Sequence, residues 1–226
     1  MVNRCDRHSE RMRRFREAGL YLVTSQSLSM GRTTEQVVAA ALAGGVKLVQ
    51  LREKEMCLRD YVALAGRIRE MTARNDALLI INDRVDVAMA VGADGVHLGQ
   101  EDFPVAAARA LAPDLILGAS THSMEEAGQA QADGASYVNI GPLFPTGTKH
   151  WEGAYLGIDG MRRIAAHVSV PFTVMGGIKR EHIAGLVAAG ARTIALVTAV
   201  TAAADPEQAA RELLAGVREA ILCAVR

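Results

Sequence analysis

The sequence alternates eight times between a short apolar segment and a longer segment with helical periodicity, and this alternation is the strongest constraint on the fold. Strands that are apolar along almost their whole length are typical of a parallel sheet with both faces buried. Helices that alternate with such strands cover the sheet. We therefore predict a single-domain α/β fold, the (β/α)₈ or TIM barrel.

The predicted strands and helices follow one another with short links. Strands are predicted at residues 20–24, 46–52, 77–81, 94–98, 115–118, 137–140, 171–175 and 193–197. Helices are predicted at residues 8–17, 34–42, 59–74, 83–91, 104–111, 123–132, 158–166, 181–189 and 206–225. Thr34 is the expected N-cap of its helix, and Ser123 with Glu126 forms a predicted capping box. The alternative is an open doubly wound sheet, which would usually carry a glycine-rich nucleotide motif that this chain lacks.

Composition limits the classes of function. The 226 residues include 25 basic and 25 acidic side chains, a balance that argues against a nucleic-acid or membrane-surface binder. Cys5, Cys57 and Cys223 form no CxxC pair, which indicates a reducing compartment without disulfides or structural zinc. No apolar run reaches the roughly 20 residues of a membrane span. We expect a cytoplasmic protein with a charged helical extension at residues 1–18 and a catalytic barrel at residues 19–226.

Barrel active sites form at the carboxyl ends of the strands, so the residues that follow each strand are the candidates. Gln50, Arg52 and Lys54 follow the second strand and share one face while the chain stays extended. A guanidinium and an ammonium on one face favour a polyanion such as a diphosphate. A solvated charged loop is the alternative for this segment.

Carboxylates follow the next two strands. Asn82 and Asp83 end the third strand, and Asp102 follows the fourth. Each aspartate is also suited to cap the helix after it. Mg²⁺ accounts for both together, since it is held by one or two carboxylates plus substrate phosphates and water. No zinc motif is present in the sequence.

Polar residues at the fifth strand and within the fourth are candidates of a different kind. Ser120 is an expected hydrogen-bond donor, and no GxSxG motif surrounds it, which argues against a hydrolase triad. His122 is either an acid–base group or a neutral residue at a helix entry. His97 lies inside an apolar strand, so we expect it to be a hydrogen-bonded core histidine.

The last three strands are followed by segments suited to phosphate. Gly176-Gly177 and Val197-Thr198 lie where this fold frequently binds phosphate through backbone N–H groups. The long irregular loop Gly141–Lys149 carries two hydroxyls and an ammonium. Two anion sites at one barrel mouth indicate that two phosphorylated substrates are joined, with diphosphate as leaving group.

Six motifs together carry a resemblance to a known family. They are Gln50–Lys54, Ile81–Asp83, Gly95–Asp102, Ser120–His122, Gly141–Lys149 and Gly176–Ile178. In this order, and over residues 20–222, they resemble the thiamine-phosphate synthases. The resemblance implies Mg²⁺-dependent condensation of a hydroxymethylpyrimidine diphosphate with a hydroxyethylthiazole phosphate, through loss of diphosphate to give a pyrimidine carbocation.

The resemblance also implies roles for individual residues. It assigns the pyrimidine diphosphate to Gln50, Leu51, Arg52, Glu53, Lys54, Asn82, Ser120 and Lys149. Of these, Arg52, Lys54, Ser120 and Lys149 are the implied catalytic residues. It assigns the thiazole phosphate to Thr146, Gly147, Thr148, Gly177, Val197 and Thr198. Asp83 and Asp102 are the implied Mg²⁺ ligands.

Two positions depart from the family pattern. Thr198 stands where many members have serine, which keeps the hydroxyl but adds a methyl group beside the phosphate. Arg192 stands where an acidic residue is common, and we expect no catalytic effect there.

The alternatives are a thiazole tautomerase, which would use His122, and a non-catalytic phosphate-ligand sensor. The expected partners are the two small-molecule substrates, with a homo-oligomer left open.

Overall fold

The predicted barrel is confirmed by the computed structural model, which describes residues 4–148 and 151–224. Eight parallel strands pair in chain order, and β8 pairs with β1 to close the barrel. The strands are β1 (Leu20–Val23), β2 (Leu48–Leu51), β3 (Leu78–Asn82), β4 (Gly95–Leu98), β5 (Ile116–Thr121), β6 (Tyr137–Ile140), β7 (Phe172–Val174) and β8 (Thr193–Leu196).

Helices follow each strand and form the outer layer, and one further helix, α1, precedes β1. They are α1 (Arg4–Glu17), α2 (Thr34–Ala43), α3 (Leu58–Arg74), α4 (Val85–Ala90), α5 (Val105–Leu111), α6 (Met124–Ala132), α7 (Gly157–Ala165), α8 (Ile183–Ala188), α9 (Thr198–Thr201) and α10 (Pro206–Ala224). Short 3₁₀ turns occupy Gln26–Leu28 and Arg180–His182. Within the described ranges, no helix has the length and apolar character needed to cross a membrane.

Helix caps differ from the sequence prediction in three places. Thr33, not Thr34, caps α2, because its hydroxyl accepts from the Gln36 N–H at 3.2 Å. Ser123 does cap α6, but the Glu126 carboxylate accepts from the His122 N–H instead of completing the box with Ser123. Asp83 caps no helix, since α4 begins two residues later at Val85.

The side chains of the strands alternate between two buried layers. Outward residues pack against the helices, as Leu79 and Ile81 of β3 do. Inward residues of the same strand, Leu78 and Ile80, belong to a smaller cluster inside the barrel. This alternation decides which side chains near the carboxyl ends reach the barrel mouth.

Helix α1 closes the amino-terminal end of the barrel. Met12, Phe15 and Ala18 are buried in the inner cluster, and the Phe15 ring lies 4.4 Å from that of Tyr137 between centroids. Asp94, before β4, pairs with Arg11 of α1 at 3.2 Å. The extension predicted as a charged helix therefore also carries an apolar stripe, which packs into the amino-terminal end of the barrel.

Candidate active site

A cavity opens at the carboxyl ends of the strands, as predicted from the fold, and all eight strands or the loops that follow them contribute to its lining. The described residues that line it include the following site candidates: Gln50, Arg52, Lys54, Asn82, Asp83, Asp102, Ser120, His122, Thr146, Thr148, Gly177, Val197 and Thr198. The structure thus brings together groups from segments that are far apart in sequence.

The segment after β2 presents alternate side chains to this cavity. Gln50, Arg52 and Lys54 line it, which agrees with their shared face in an extended chain. The Arg52 backbone N–H donates to the Thr24 hydroxyl at 2.9 Å, which holds the chain extended past the end of the strand. A guanidinium and an ammonium therefore face the same space, as an anionic group requires.

Leu51 and Glu53 point away from the cavity. Leu51 is fully buried in the layer between sheet and helices. The Glu53 carboxylate accepts from the Gln26 N–H at 2.8 Å and from the Thr34 hydroxyl at 2.9 Å. Both were predicted as pyrimidine diphosphate contacts, and the period of two in the extended segment is the reason their side chains lie elsewhere.

Two carboxylates lie next to each other at the ends of β3 and β4. The Gly99 N–H donates to the Asp102 carboxylate at 2.6 Å. Burial, followed by a hydrogen bond with the Asp83 carboxyl, raises the pKa of Asp102. Lys54 Nζ lies 2.5 Å from Asp83 Oδ2, so the ammonium offsets part of this negative charge.

This pair of aspartates fits a hard divalent cation. Carboxylate oxygens are the protein ligands that Mg²⁺ prefers, and the ion usually completes its shell with water and phosphate oxygens. In the described part of the chain, no group of three or more His, Cys, Asp or Glu side chains is arranged to hold a metal. A cation here would therefore depend on a phosphorylated ligand for further oxygen atoms.

His97 is buried and hydrogen-bonded through both ring nitrogens, as expected for a core histidine. Nδ1 lies 2.9 Å from the Tyr137 hydroxyl, and Nε2 lies 2.9 Å from the Ser120 hydroxyl. Burial lowers the pKa of His97 to about 4; Arg52 adds to the lowering, and Asp102 opposes it. The imidazole is therefore neutral near pH 7, and its tautomer is set by its two hydroxyl partners.

The opposite side of the cavity is formed by backbone. Gly176 and Gly177 have φ of +100° and +62°. A Cβ on Gly177 would lie 2.3 Å from the Pro145 carbonyl oxygen, so no other residue fits without moving the loop. After the neighbouring strand β8, Val197 precedes the short helix α9, which begins at Thr198. Backbone N–H groups and the Thr198 hydroxyl are suited to a phosphate at this position.

The loop after β6 brings two hydroxyls to the same cavity. The Thr148 N–H donates to the Thr146 hydroxyl at 3.2 Å, and both side chains line the cavity. Gly147 between them is exposed, with open space where a side chain would stand. Lys149, the predicted stabiliser of the leaving group, lies outside the described residues.

Some lining residues were missed by the sequence analysis. Asn139 lines the cavity from β6 and accepts a hydrogen bond from the Thr173 hydroxyl at 2.7 Å, which leaves its amide N–H groups to donate. Trp151 lines it from the long loop, with its ring 4.6 Å from that of His122. Asn139 lies two residues before Gly141 on an inward position of β6. The period of two in this strand would have predicted that its side chain faces the cavity.

The structure places Arg192 away from the cavity. Its guanidinium donates to the carbonyl oxygens of Val187 at 3.1 Å and Ala191 at 3.0 Å. These groups lie before β8, at the end of the barrel opposite the cavity.

Comparison with known proteins gives a consistent result. A family model described as thiamine monophosphate synthase matches residues 20–200. The thiamine-phosphate synthase of Chloroflexus aurantiacus is 49% identical over 196 residues, which cover 87% of this chain and 91% of the relative. That of Moorella thermoacetica is 47% identical over 195 residues, covering 86% and 93%.

Solved structures are also similar to this chain. The thiamine phosphate pyrophosphorylase from Pyrococcus furiosus is 37% identical with a TM-score of 0.85, covering 92% of this chain and 99% of that one. A 3-hexulose-6-phosphate synthase, 21% identical with a TM-score of 0.64, shares the barrel fold alone.

Proposed function

Because the chain belongs to the thiamine monophosphate synthase family, we propose that it joins a pyrimidine diphosphate to a thiazole phosphate and releases diphosphate. The substrates are 4-amino-2-methyl-5-(diphosphooxymethyl)pyrimidine and 4-methyl-5-(2-phosphooxyethyl)thiazole or its carboxylated form. One observation carries this proposal. A single cavity combines two cationic side chains and two carboxylates with a separate region of backbone N–H groups and hydroxyls.

The side that carries Arg52 and Lys54 is proposed to bind the diphosphate. Asp83 and Asp102 would hold Mg²⁺, which when bound neutralises negative charge on the diphosphate oxygens. The Arg52 guanidinium suits bidentate binding of phosphate oxygens. The Lys54 ammonium has three N–H donors, so it can bind phosphate while it stays near Asp83. We propose that Lys149, as the resemblance implies, adds a further positive charge.

The proposed reaction breaks a C–O bond and forms a C–N bond. Diphosphate leaves with the bonding electron pair, and the lone pair of the thiazole nitrogen attacks the resulting pyrimidine carbocation. A carboxylated thiazole would in addition lose CO₂ and take up a proton in its place. This nitrogen carries no proton to remove, so the site needs no general base. The cavity accordingly acts by electrostatic stabilisation of the leaving group. Gln50, Asn82 and Ser120 would orient the pyrimidine ring.

The other side of the cavity is proposed to bind the thiazole phosphate. Gly177 permits close approach of its backbone, and Thr198 adds a hydroxyl on the adjacent strand end. Thr146 and Thr148 lie in the loop after β6 and supply further donors. This arrangement keeps the monophosphate apart from the diphosphate, so that each substrate has one orientation.

We predict that the protein forms thiamine phosphate when both substrates and Mg²⁺ are supplied. Chromatography of the product, with release of diphosphate measured in parallel, checks this prediction. Excess EDTA should abolish product, and added Mg²⁺ should restore it, because the diphosphate charge is no longer neutralised without the metal. No product in the complete mixture would overturn the proposed function.

A variant of His122 separates this reaction from the tautomerase alternative. The His122 Nδ1–H donates a hydrogen bond to the Gly141 carbonyl oxygen, and the ring lies against Trp151. His122→Ala should retain most of the synthase turnover, because the proposed reaction uses no base there. Loss of all activity in this variant alone, with an intact fold by circular dichroism, would favour the tautomerase.

A further inference from the structure

Five side chains form a continuous hydrogen-bonded chain through the inside of the barrel. Gln50 Nε2 lies 2.7 Å from the Tyr21 hydroxyl, which lies 2.9 Å from the Tyr137 hydroxyl. From Tyr137 the chain continues through His97 to the Ser120 hydroxyl, again at 2.9 Å for each bond. Its two ends, Gln50 and Ser120, line the cavity, whereas Tyr21 and Tyr137 lie beneath it.

The Gln50 amide determines which group donates and which accepts in every hydrogen bond of this chain. An amide nitrogen only donates, so the Tyr21 oxygen accepts and the Tyr21 hydroxyl donates to Tyr137. The Tyr137 hydroxyl then donates to His97 Nδ1. A neutral imidazole with an accepting Nδ1 carries its proton on Nε2, which therefore donates to Ser120. The Ser120 hydroxyl proton is left to donate into the cavity.

The opposite direction is a second self-consistent state of the same chain. It requires the Gln50 amide to turn over, the proton of His97 to lie on Nδ1, and Ser120 to donate to His97 instead of the cavity. Mixed states leave a buried hydroxyl without an acceptor or set two donors against each other, which is costly inside a protein. The hydrogen-bonding character of Gln50 is therefore coupled to that of Ser120 across the barrel.

We propose that Tyr21, Tyr137 and His97 are positioning residues that fix this coupled character and so select the hydrogen-bonding pattern of a ring edge that contacts both Gln50 and Ser120. In the state assigned from the Gln50 amide, the Gln50 carbonyl oxygen has no partner among the described residues and can accept from a ligand, while Ser120 donates. A ring with an exocyclic amino group beside an unprotonated ring nitrogen matches this pattern. This identification of the ring rests on the proposed function.

The corresponding 4-oxo pyrimidine presents the opposite pattern, with a carbonyl oxygen and a ring N–H. The assigned state of the chain therefore discriminates against it, since donor would meet donor and acceptor would meet acceptor. If the chain is broken at its centre, the two ends lose their coupling, and each can turn to suit either ring. Discrimination should fall even though Gln50 and Ser120 are both still present.

Tyr137→Phe breaks the chain and keeps the aromatic ring. We expect the preference for the amino over the oxo pyrimidine diphosphate, measured as the ratio of their dissociation constants, to fall at least about tenfold. The KM for the thiazole phosphate should stay unchanged. Tyr61→Phe is the matched control, because Tyr61 is also buried and loses one hydrogen bond, to the Leu51 carbonyl at 2.7 Å, outside the barrel interior.

An unchanged ratio in Tyr137→Phe, or an equal fall in Tyr61→Phe, would overturn the proposal. Tyr21→Phe tests the same coupling from the other tyrosine. A second measurement needs no substrate: ¹⁵N NMR of histidine-labelled wild-type protein should find His97 protonated on Nε2. The Nδ1-protonated tautomer would reject the assigned direction. Failure to form thiamine phosphate would remove the proposed function and leave the tautomer result standing.

Discussion

At the residue scale, the backbone conformation of Asp83 is the least expected one in the site. Its φ of +61° is rare for a residue other than glycine and costs on the order of 1 kcal/mol. Its N–H donates to the His97 carbonyl at 2.8 Å, which fixes the turn. The conformation directs the carboxylate towards Asp102 and Lys54 instead of towards α4. The turn therefore places the Asp83 carboxylate in the site instead of at the N-terminus of α4, where it would cap the helix.

We predict that Asp83→Asn lowers turnover by about 100-fold while the fold is retained. Asparagine tolerates the left-handed conformation and matches the shape of aspartate, so the change removes the charge and one acceptor oxygen without altering the turn. The Mg²⁺ concentration for half-maximal activity should rise. Asp86→Asn is the control, a carboxylate that pairs with Arg84 outside the cavity. A Mg²⁺ requirement equal in both variants would rule out Asp83 as a ligand.

Single residues also mark the limit of what the sequence could predict. The period of two placed Gln50, Arg52 and Lys54 on one face, and the same rule applied to Leu51 and Glu53 would have excluded their side chains. The contact between Tyr21 and Tyr137 is different in kind. Their strands are far apart in sequence, and their inward side chains meet only because the barrel closes.

At the element scale, two loops form one wall of the cavity. The Leu143 N–H donates to the Met175 carbonyl and the Phe144 N–H to the Gly176 carbonyl, both at 3.0 Å. These bonds continue the pairing of β6 with β7 beyond the strands. The sequence predicted an irregular loop after β6 and a tight glycine turn after β7. It could not predict that the two segments pair, since both lack strand periodicity.

We predict that Gly177→Ala raises the KM for the thiazole phosphate about tenfold or more and leaves that for the pyrimidine diphosphate nearly unchanged. The new Cβ meets the Pro145 carbonyl oxygen and moves this wall. Gly190→Ala is the control, because Gly190 also has a positive φ but its nearest neighbour would lie 3.8 Å from the Cβ. Steady-state kinetics with each substrate varied separates the two. Equal effects would mean that backbone strain alone is responsible.

Strand ends were the other weak point of the sequence analysis. β5 was predicted to end at Gly118 but continues through Ser120 to Thr121. Polar residues at a carboxyl end read as loop because hydrophobicity is the signal for a buried strand. In a barrel, the inward residues among them face the site, as Ser120 does here. The error therefore falls on functional residues for a physical reason.

At the scale of the whole molecule, the barrel has one functional end and one sealed end. Tyr137 connects them, since its hydroxyl belongs to the chain that leads to Ser120 and its ring packs on Phe15 of α1. Arg11 and Arg69 both pair with the buried Asp94, so α1 and α3 are fixed to the same end of β4. The sequence placed α1 outside the barrel because its charged residues outnumber Met12, Phe15 and Ala18, whose spacing nevertheless marks one face.

We predict that Phe15→Ala lowers the free energy of unfolding by about 3–5 kcal/mol, the usual cost of removing a buried phenylalanine. The relative exposure of Phe15 is 1%, whereas Phe103 is 44% exposed, so Phe103→Ala should cost far less. Urea denaturation of both variants measures the difference. Equal losses would show that α1 does not support the barrel. Because the cavity left by Phe15 lies against the Tyr137 ring, Phe15→Ala should also weaken selection between amino and oxo pyrimidines, at temperatures where the protein remains folded.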